Sequence, residues 1–179
     1  MRTAFVNILF TLLILFTMNG CMTMKVSNFK NEKPKFVLEE YFSGKTKAWG
    51  IFEDRFGNVK RQFTVDISGK WDGKTLILDE YFLFNDGEKS FRQWRIVKKN
   101  NGIYEGQADD VVGTATGVSS GNTLNWVYTL NLKMSGDKSL NVKLDDWMFL
   151  QDNKVLMNRA EVKKWGVTLG VVTITFLKL

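Results

Sequence analysis

From Thr46 to the C-terminus, polar and apolar residues alternate with a period of two. Phe63, Val65 and Ile67 alternate with Thr64, Asp66 and Ser68. Leu76, Leu78, Glu80, Phe82 and Phe84 alternate with Ile77, Asp79, Tyr81 and Leu83. Leu124, Trp126, Tyr128, Leu130 and Leu132 share one face, with Asn125, Thr129, Asn131 and Lys133 mostly opposite. Successive side chains of a strand point to opposite faces, so these segments predict half-buried strands. Turn sequences separate them at short intervals: Arg55-Phe56-Gly57-Asn58, Asp72-Gly73, Asn85-Asp86-Gly87, Asn100-Asn101-Gly102, Ser119-Ser120-Gly121-Asn122, Ser135-Gly136-Asp137 and Gln151-Asp152-Asn153. Asn-Gly and Asp-Gly pairs supply the positive φ angles of tight hairpins. Nine or ten strands joined by loops this short must pair antiparallel. The simplest closed solution is an all-β, up-and-down meander barrel, which leaves no exposed edge.

The pattern differs before Thr46. Phe36 to Phe42 carries apolar residues at helical spacing and predicts one or two helical turns ending at Gly44. Met22 to Lys35 is polar, lacks a hydrophobic period and contains Pro34, the chain's single proline; it reads as a tether. Upstream, Arg2 precedes an apolar run from Ala4 to Phe16, broken only by Asn7 and Thr11, and Met18-Asn19-Gly20-Cys21 follows. This is the anatomy of a lipoprotein signal, with Gly20 the small residue before an acylated Cys21. Its rivals are an ordinary secretory signal and an uncleaved helix near the ~20-residue spanning length. The expected organisation is a signal over residues 1–20, a lipidated tether over 21–35 and a barrel domain over 36–179. Met22 is not the aspartate associated with inner-membrane retention, so the expected place is the periplasmic face of the outer membrane, held by acyl chains on Cys21.

Composition narrows the chemistry. The net charge is +6, and losing the leader removes only Arg2 from the basic side. No element carries a basic stripe, so no nucleic-acid partner is expected, and an exported basic protein is suited to anionic headgroups. The chain has no histidine and one cysteine, the residue expected to be acylated. This excludes Ser-His-Asp and Cys-His catalysis, His-based metal sites and an intrachain disulfide. No cofactor or metal is expected, and the chain does not read as an enzyme.

Several glycines interrupt strands: Gly106, Gly113 and Gly117 in one region, Gly166 and Gly170 in another. No helix follows them, so they predict bulges or bends at barrel corners rather than a phosphate loop. A transmembrane barrel is the competing architecture. It is disfavoured by Lys89, Arg92, Arg95 and Lys98 on both faces of one strand, and by Lys143, Asp145 and Asp146 on another.

Polar residues embedded in aromatic strands are the candidate site. Glu80 stands in line with Leu78 and Phe82, and Arg92 with Trp94 and Ile96. Across the Asp86-Gly87 turn, Glu80 and Arg92 are placed to pair, because an unpaired buried charge costs several kcal/mol. Asp146 shares parity with Leu144 and Met148, Asp145 with Trp147 and Phe149, and Asn158-Arg159 follow Leu156-Met157. These charges either form a network fixing barrel register or orient a ligand's polar end. The six tryptophans and fourteen phenylalanines mostly fill a core. The residues selected as candidate ligand contacts are Trp49, Glu80, Arg92, Trp94, Trp126, Tyr128, Asp146, Trp147 and Arg159. An acid–base pair of Glu80 with Asp110 or Asp146 is a weaker alternative.

The chain resembles an uncharacterised family of Gram-negative bacterial lipoproteins, a domain of unknown function with a lipocalin-like (calycin) barrel. The resemblance runs from about Phe36 to Lys178. It rests on Ala48-Trp49-Gly50, Asp54-Arg55-Phe56-Gly57, Asp86-Gly87-Glu88, Arg92-Gln93-Trp94, Asp110-Val111-Val112-Gly113, Gly121-Asn122, Asp145-Asp146-Trp147-Met148 and Asn158-Arg159-Ala160. It implies a barrel and an envelope location, and it carries no assigned activity. The leading expectation is an outer-membrane-anchored barrel binding a small apolar or amphipathic, lipid-like molecule. The second is a structural or assembly lipoprotein with a filled barrel and a protein partner; the third is a small-barrel isomerase or cyclase. Cavity volume separates the first two, since a ligand pocket should approach ~300 Å³ or more.

Overall fold

The alternating segments close on themselves. In the computed structural model, which describes residues 24–100, 102–133, 136 and 138–179, ten strands follow in order: β1 Gly44–Asp54, β2 Val59–Trp71, β3 Thr75–Phe84, β4 Lys89–Lys98, β5 Ile103–Gln107, β6 Val111–Ser120, β7 Thr123–Lys133, β8 Ser139–Leu150, β9 Val155–Lys164 and β10 Val167–Lys178. Each pairs antiparallel with the next, and β1 pairs with β10 from Thr46–Lys178 to Asp54–Gly170. The all-β meander barrel is therefore the fold, with the higher of the two expected strand counts. One parity of every strand points inward, burying Ala48, Val65, Leu78, Trp94, Leu124, Leu144 and Leu156 among others.

The expected Gly turns sit at positive φ, including Gly57, Gly73, Gly87, Gly102 and Gly121. The strand glycines divide into two groups. Gly113 has positive φ within the β6 register shift, and Gly170 marks the shift in β10, as bulges require. Gly106 and Gly117 do not bend the wall; they make room for Trp126. A Cβ on Gly106 would meet the indole at 2.5 Å, and one on Gly117 at 2.3 Å. Gly166 is a hairpin residue rather than an interruption: Trp165 and Gly166, with φ of 50° and 80°, form the two-residue β9–β10 turn.

One end of the cylinder is closed from within the chain. A single helix, α1 Leu38–Phe42, lies there, and Phe36, Leu38, Tyr41 and Phe42 are buried against the strands. Burying each such side chain contributes about 1.5–3 kcal/mol. Polar contacts lock the plug. Phe36 N–H donates to Gly121 O (2.7 Å), Ser119 Oγ to Phe36 O (2.9 Å) and Tyr41 Oη to Lys154 O (2.8 Å). Glu39 is ion-paired with Lys98 and accepts from Tyr104 Oη at 2.9 Å. Upstream, Val26–Phe29 forms a 3-10 turn, and Phe29 packs on Trp147 and Phe149 outside β8. This part of the expected tether thus rests on the barrel, because its one aromatic ring finds an apolar seat. Cys21 lies outside the described residues.

No described segment crosses the opposite end, where the β1–β2, β3–β4, β5–β6 and β9–β10 connections lie. The outer wall carries ion pairs such as Lys47–Asp66 and Arg159–Glu161, where a lipid-facing barrel presents an apolar band. Seating Trp126 on bare backbone yields a direct expectation. Gly117→Ala destabilises the barrel by about 1–3 kcal/mol, the usual cost of overpacking, measurable by urea denaturation followed through tryptophan fluorescence.

Candidate functional site

The inward parity of β3, β4, β7, β8 and β9 brings Glu80, Arg92, Trp94, Trp126, Tyr128, Asp146 and Asn158 to one cavity of about 210 Å³. Leu38 and Phe42 of the plug line it too. Trp94 meets Trp126 and Tyr128 edge to face, at 5.6 and 5.3 Å between ring centroids. Six of the nine candidate contacts are therefore gathered in the lumen.

Trp49, Trp147 and Arg159 are not. Ala48 and Gly50 take the inward positions of β1, so Trp49 points out and is 46% exposed. Asp146 and Asn158 are buried inward on β8 and β9. Their chain neighbours Trp147 and Arg159 must then face out, because adjacent strand residues lie on opposite faces. Trp147 stacks with Phe149 on the outer wall, and Arg159 pairs with Glu161. Of that pair of positions Asn158, rather than Arg159, lines the cavity. Its signal was legible: it shares parity with Leu156 and Ala160.

Glu80 and Arg92 lie directly opposite each other on β3 and β4, as expected. Yet the closer partner of Arg92 is Asp110. Nε donates to both carboxylate oxygens (3.1 and 2.9 Å) and Nη2 donates to Oδ2 at 2.6 Å, whereas Nη1 stands 3.9 Å from Glu80 Oε2. Strand length explains this. β5 has only five residues, and its ladder with β4 stops at Arg95–Gln107. Beyond that point the wall is held by the turn after β5, whose Asp110 reaches the guanidinium. Sequence periodicity does not reveal that contact, since Asp110 belongs to no strand.

Committing Arg92 to Asp110 leaves the other lumen carboxyls poorly compensated. Burial pushes Glu80 up to about 7, with Arg92 opposing and Asp110 adding to the rise. Burial likewise pushes Asp146 up to about 7. Arg92 and a hydrogen bond from Asn158 oppose it, while Asp145 and Glu80 reinforce it. Asp146 Oδ1 and Asn158 Oδ1 have no hydrogen-bond partner among the described residues. Towards the open end, Phe63, Phe82 and Phe84 cluster, and the Arg61 guanidinium lies 3.7 Å over Phe84 while pairing with Asp86 and Glu88. Among the described residues no group of three or more Cys, Asp or Glu is placed to hold a metal ion. The arrangement suits binding of hydrogen-bond donors and exchange of protons near neutrality.

Two outcomes follow from these contacts. Arg92→Met costs about 3–5 kcal/mol, because it strands buried carboxylates. Asp110→Asn costs less, its carboxylate being 36% exposed. Double-mutant cycles read by chemical denaturation give Arg92–Asp110 the larger coupling and Arg92–Glu80 the smaller. The second outcome concerns pH. Folded Glu80 and Asp146 keep protons that the unfolded chain releases near ~4. Their stabilising effect is full below that range and is lost as pH rises towards about 7. Asp72 and Asp152 are lowered by hydrogen bonds from the backbone N–H groups of Thr75 and Lys74, and of Val155 and Lys154. They act in the reverse sense, losing their contribution in more acid solution. The melting temperature therefore falls between about pH 5 and about pH 8, and Asp146→Asn flattens that slope in thermal denaturation.

The ten-stranded closed meander fits a calycin-like fold. A search of curated proteins finds no match. The sequence profile of DUF3833, described as a protein of unknown function, matches residues 15–178. With the whole barrel inside that match, the chain belongs to the DUF3833 family.

Proposed function

We propose that this protein is a lipid-anchored barrel of the Gram-negative envelope that carries one small amphipathic molecule in its lumen without transforming it. The observation that carries the reading is the cavity itself. It is closed at one end by the chain's own helix and lined by aromatic and aliphatic side chains. It also holds buried oxygens that have no partner among the described residues. At about 210 Å³ it is smaller than the ~300–1,000 Å³ typical of drug-sized sites. It is larger than the ~150 Å³ apolar cavity that holds benzene. The ligand class is therefore compact, on the order of ten non-hydrogen atoms, which excludes an intact phospholipid from the enclosed space.

The anchor is Cys21, acylated after removal of residues 1–20, and Met22 directs the protein to the outer membrane. Cys21 to Lys25 spans four residue steps, at most about 14 Å of extended chain. The 3-10 turn that follows lies beside Gly121, near the plugged end. An anchor there keeps the plugged end near the lipid and leaves the other mouth clear. Cys21→Ser is expected to abolish metabolic fatty-acid labelling.

Native mass spectrometry of protein purified from its own envelope tests the carrier role. A reproducible small adduct is expected, and it disappears in Ala160→Phe, which fills the cavity beside Asp146. One observation favours the assembly reading instead. Trp49, Tyr81, Leu83 and Phe91 are exposed on the outer wall of β1, β3 and β4. Wild-type protein free of any adduct, together with a partner lost in a Trp49→Ala, Tyr81→Ala variant, would favour that role.

A further inference from the structure

The lumen contains two buried acceptor oxygens with no partner among the described residues, and their positions indicate what should fill it. Asp146 and Asn158 stand one ladder step apart on β8 and β9, with Asp146 opposite Ala160 and Met148 opposite Asn158. They are only 7% and 3% exposed, both line the cavity, and Oδ1 of each has no partner among the described residues. A buried acceptor left unmet costs about 1–3 kcal/mol. Trp126, the cross-strand partner of Asp146, offers an aromatic ring, a surface that attracts cations.

The charges point the same way. The cavity lining holds two acids, Glu80 and Asp146, against one base, Arg92. That base is already engaged by Asp110 through Nε and Nη2. An anionic head group such as a fatty-acid carboxylate would bring only acceptors to two oxygens that need donors. It would also meet two carboxyls whose one neighbouring cation, Arg92, is already bound to Asp110. An ammonium brings three donors and a positive charge.

Building on the lumen as a ligand site, we infer that it selects a small primary ammonium amphiphile, whose head group binds the Asp146 and Asn158 oxygens and whose apolar part lies along the aromatic wall. Protonation adds a signature. Asp146 sits near neutrality through burial, in the field of Glu80 from β3, Arg92 from β4, Asp110 from the β5–β6 turn, Tyr128 from β7, Asp145 from its own strand and Asn158 from β9. A proton on Asp146 competes with the ammonium, so affinity rises with pH through about 7.

Calorimetric titration of the purified full-length protein with hexylammonium, hexanol and hexanoate separates the possibilities, the three probes sharing one alkyl chain. Near pH 8 hexylammonium is expected to bind about tenfold or more tighter than hexanol, in keeping with a charge-assisted hydrogen bond, and hexanoate weakest. The ammonium affinity is expected to fall at about pH 6 while that of hexanol does not. Asp146→Asn is expected to bring hexylammonium down to the affinity of hexanol. The pH comparison on unaltered protein gives an answer even where that variant fails to fold. Hexanoate or hexanol binding as tightly as the ammonium overturns the head-group assignment and leaves the lumen site standing. Binding of none of the three means that water alone meets these oxygens, and both readings fall.

Discussion

The ladder between β1 and β10, running from Thr46–Lys178 to Asp54–Gly170, turns a ten-stranded meander into a cylinder and gives every strand an inner face. Without it, β1 and β10 would present unpaired N–H and C=O groups, and the inward parity would open to water. Closure also sets how far apart the interior groups sit. Tyr128 and Trp126 on β7 meet Trp94 on β4 because the wall curves round to bring them together.

Closure has one weak seam, and the charged lumen follows from it. β5 is too short to cover β4 to its end, so the wall there depends on the Arg92–Asp110 contact. The same contact engages the one guanidinium lining the cavity and leaves Glu80 and Asp146 with little to offset burial. A structural ion pair thereby creates the acidic character of the site. A lumen built for stability alone would place apolar side chains at these positions, since well-packed hydrophobic residues commonly match or exceed a buried ion pair. The buried acids, and two oxygens with no partner among the described residues, give the cavity a polar patch within its aromatic wall.

The two ends of the barrel are held by different sets of contacts. The plug is fixed by buried Phe36, Leu38, Tyr41 and Phe42 and by hydrogen bonds into three separate loops or strands. The other mouth is framed by hairpin turns, among them a Trp165 that is 91% exposed. Such turns have few buried contacts and open at lower free energy than core strands. On the carrier reading proposed above, a small molecule would exchange between these turns, past Arg61 and Phe84, with the plug left in place.

Much of this was legible from alternation alone. Period two, with Gly-containing turns every eight to twelve residues or so, determined antiparallel strands, the inward set on β3 and β7, and the opposed pair Glu80–Arg92. The six candidate residues that line the lumen all lie in segments where parity is unambiguous. Trp49, Trp147 and Arg159, chosen by residue type, lie on the outer wall, because parity decides which face a strand residue takes. Parity is a local property that a sequence carries in full. Which carboxylate reaches Arg92, which glycines lie beneath Trp126 and where Phe29 rests depend on strand lengths, curvature and closure. These bring together residues as far apart as Phe29 and Trp147, or Gly106 and Trp126. Contacts of that kind have no period, so only the tertiary structure decides them.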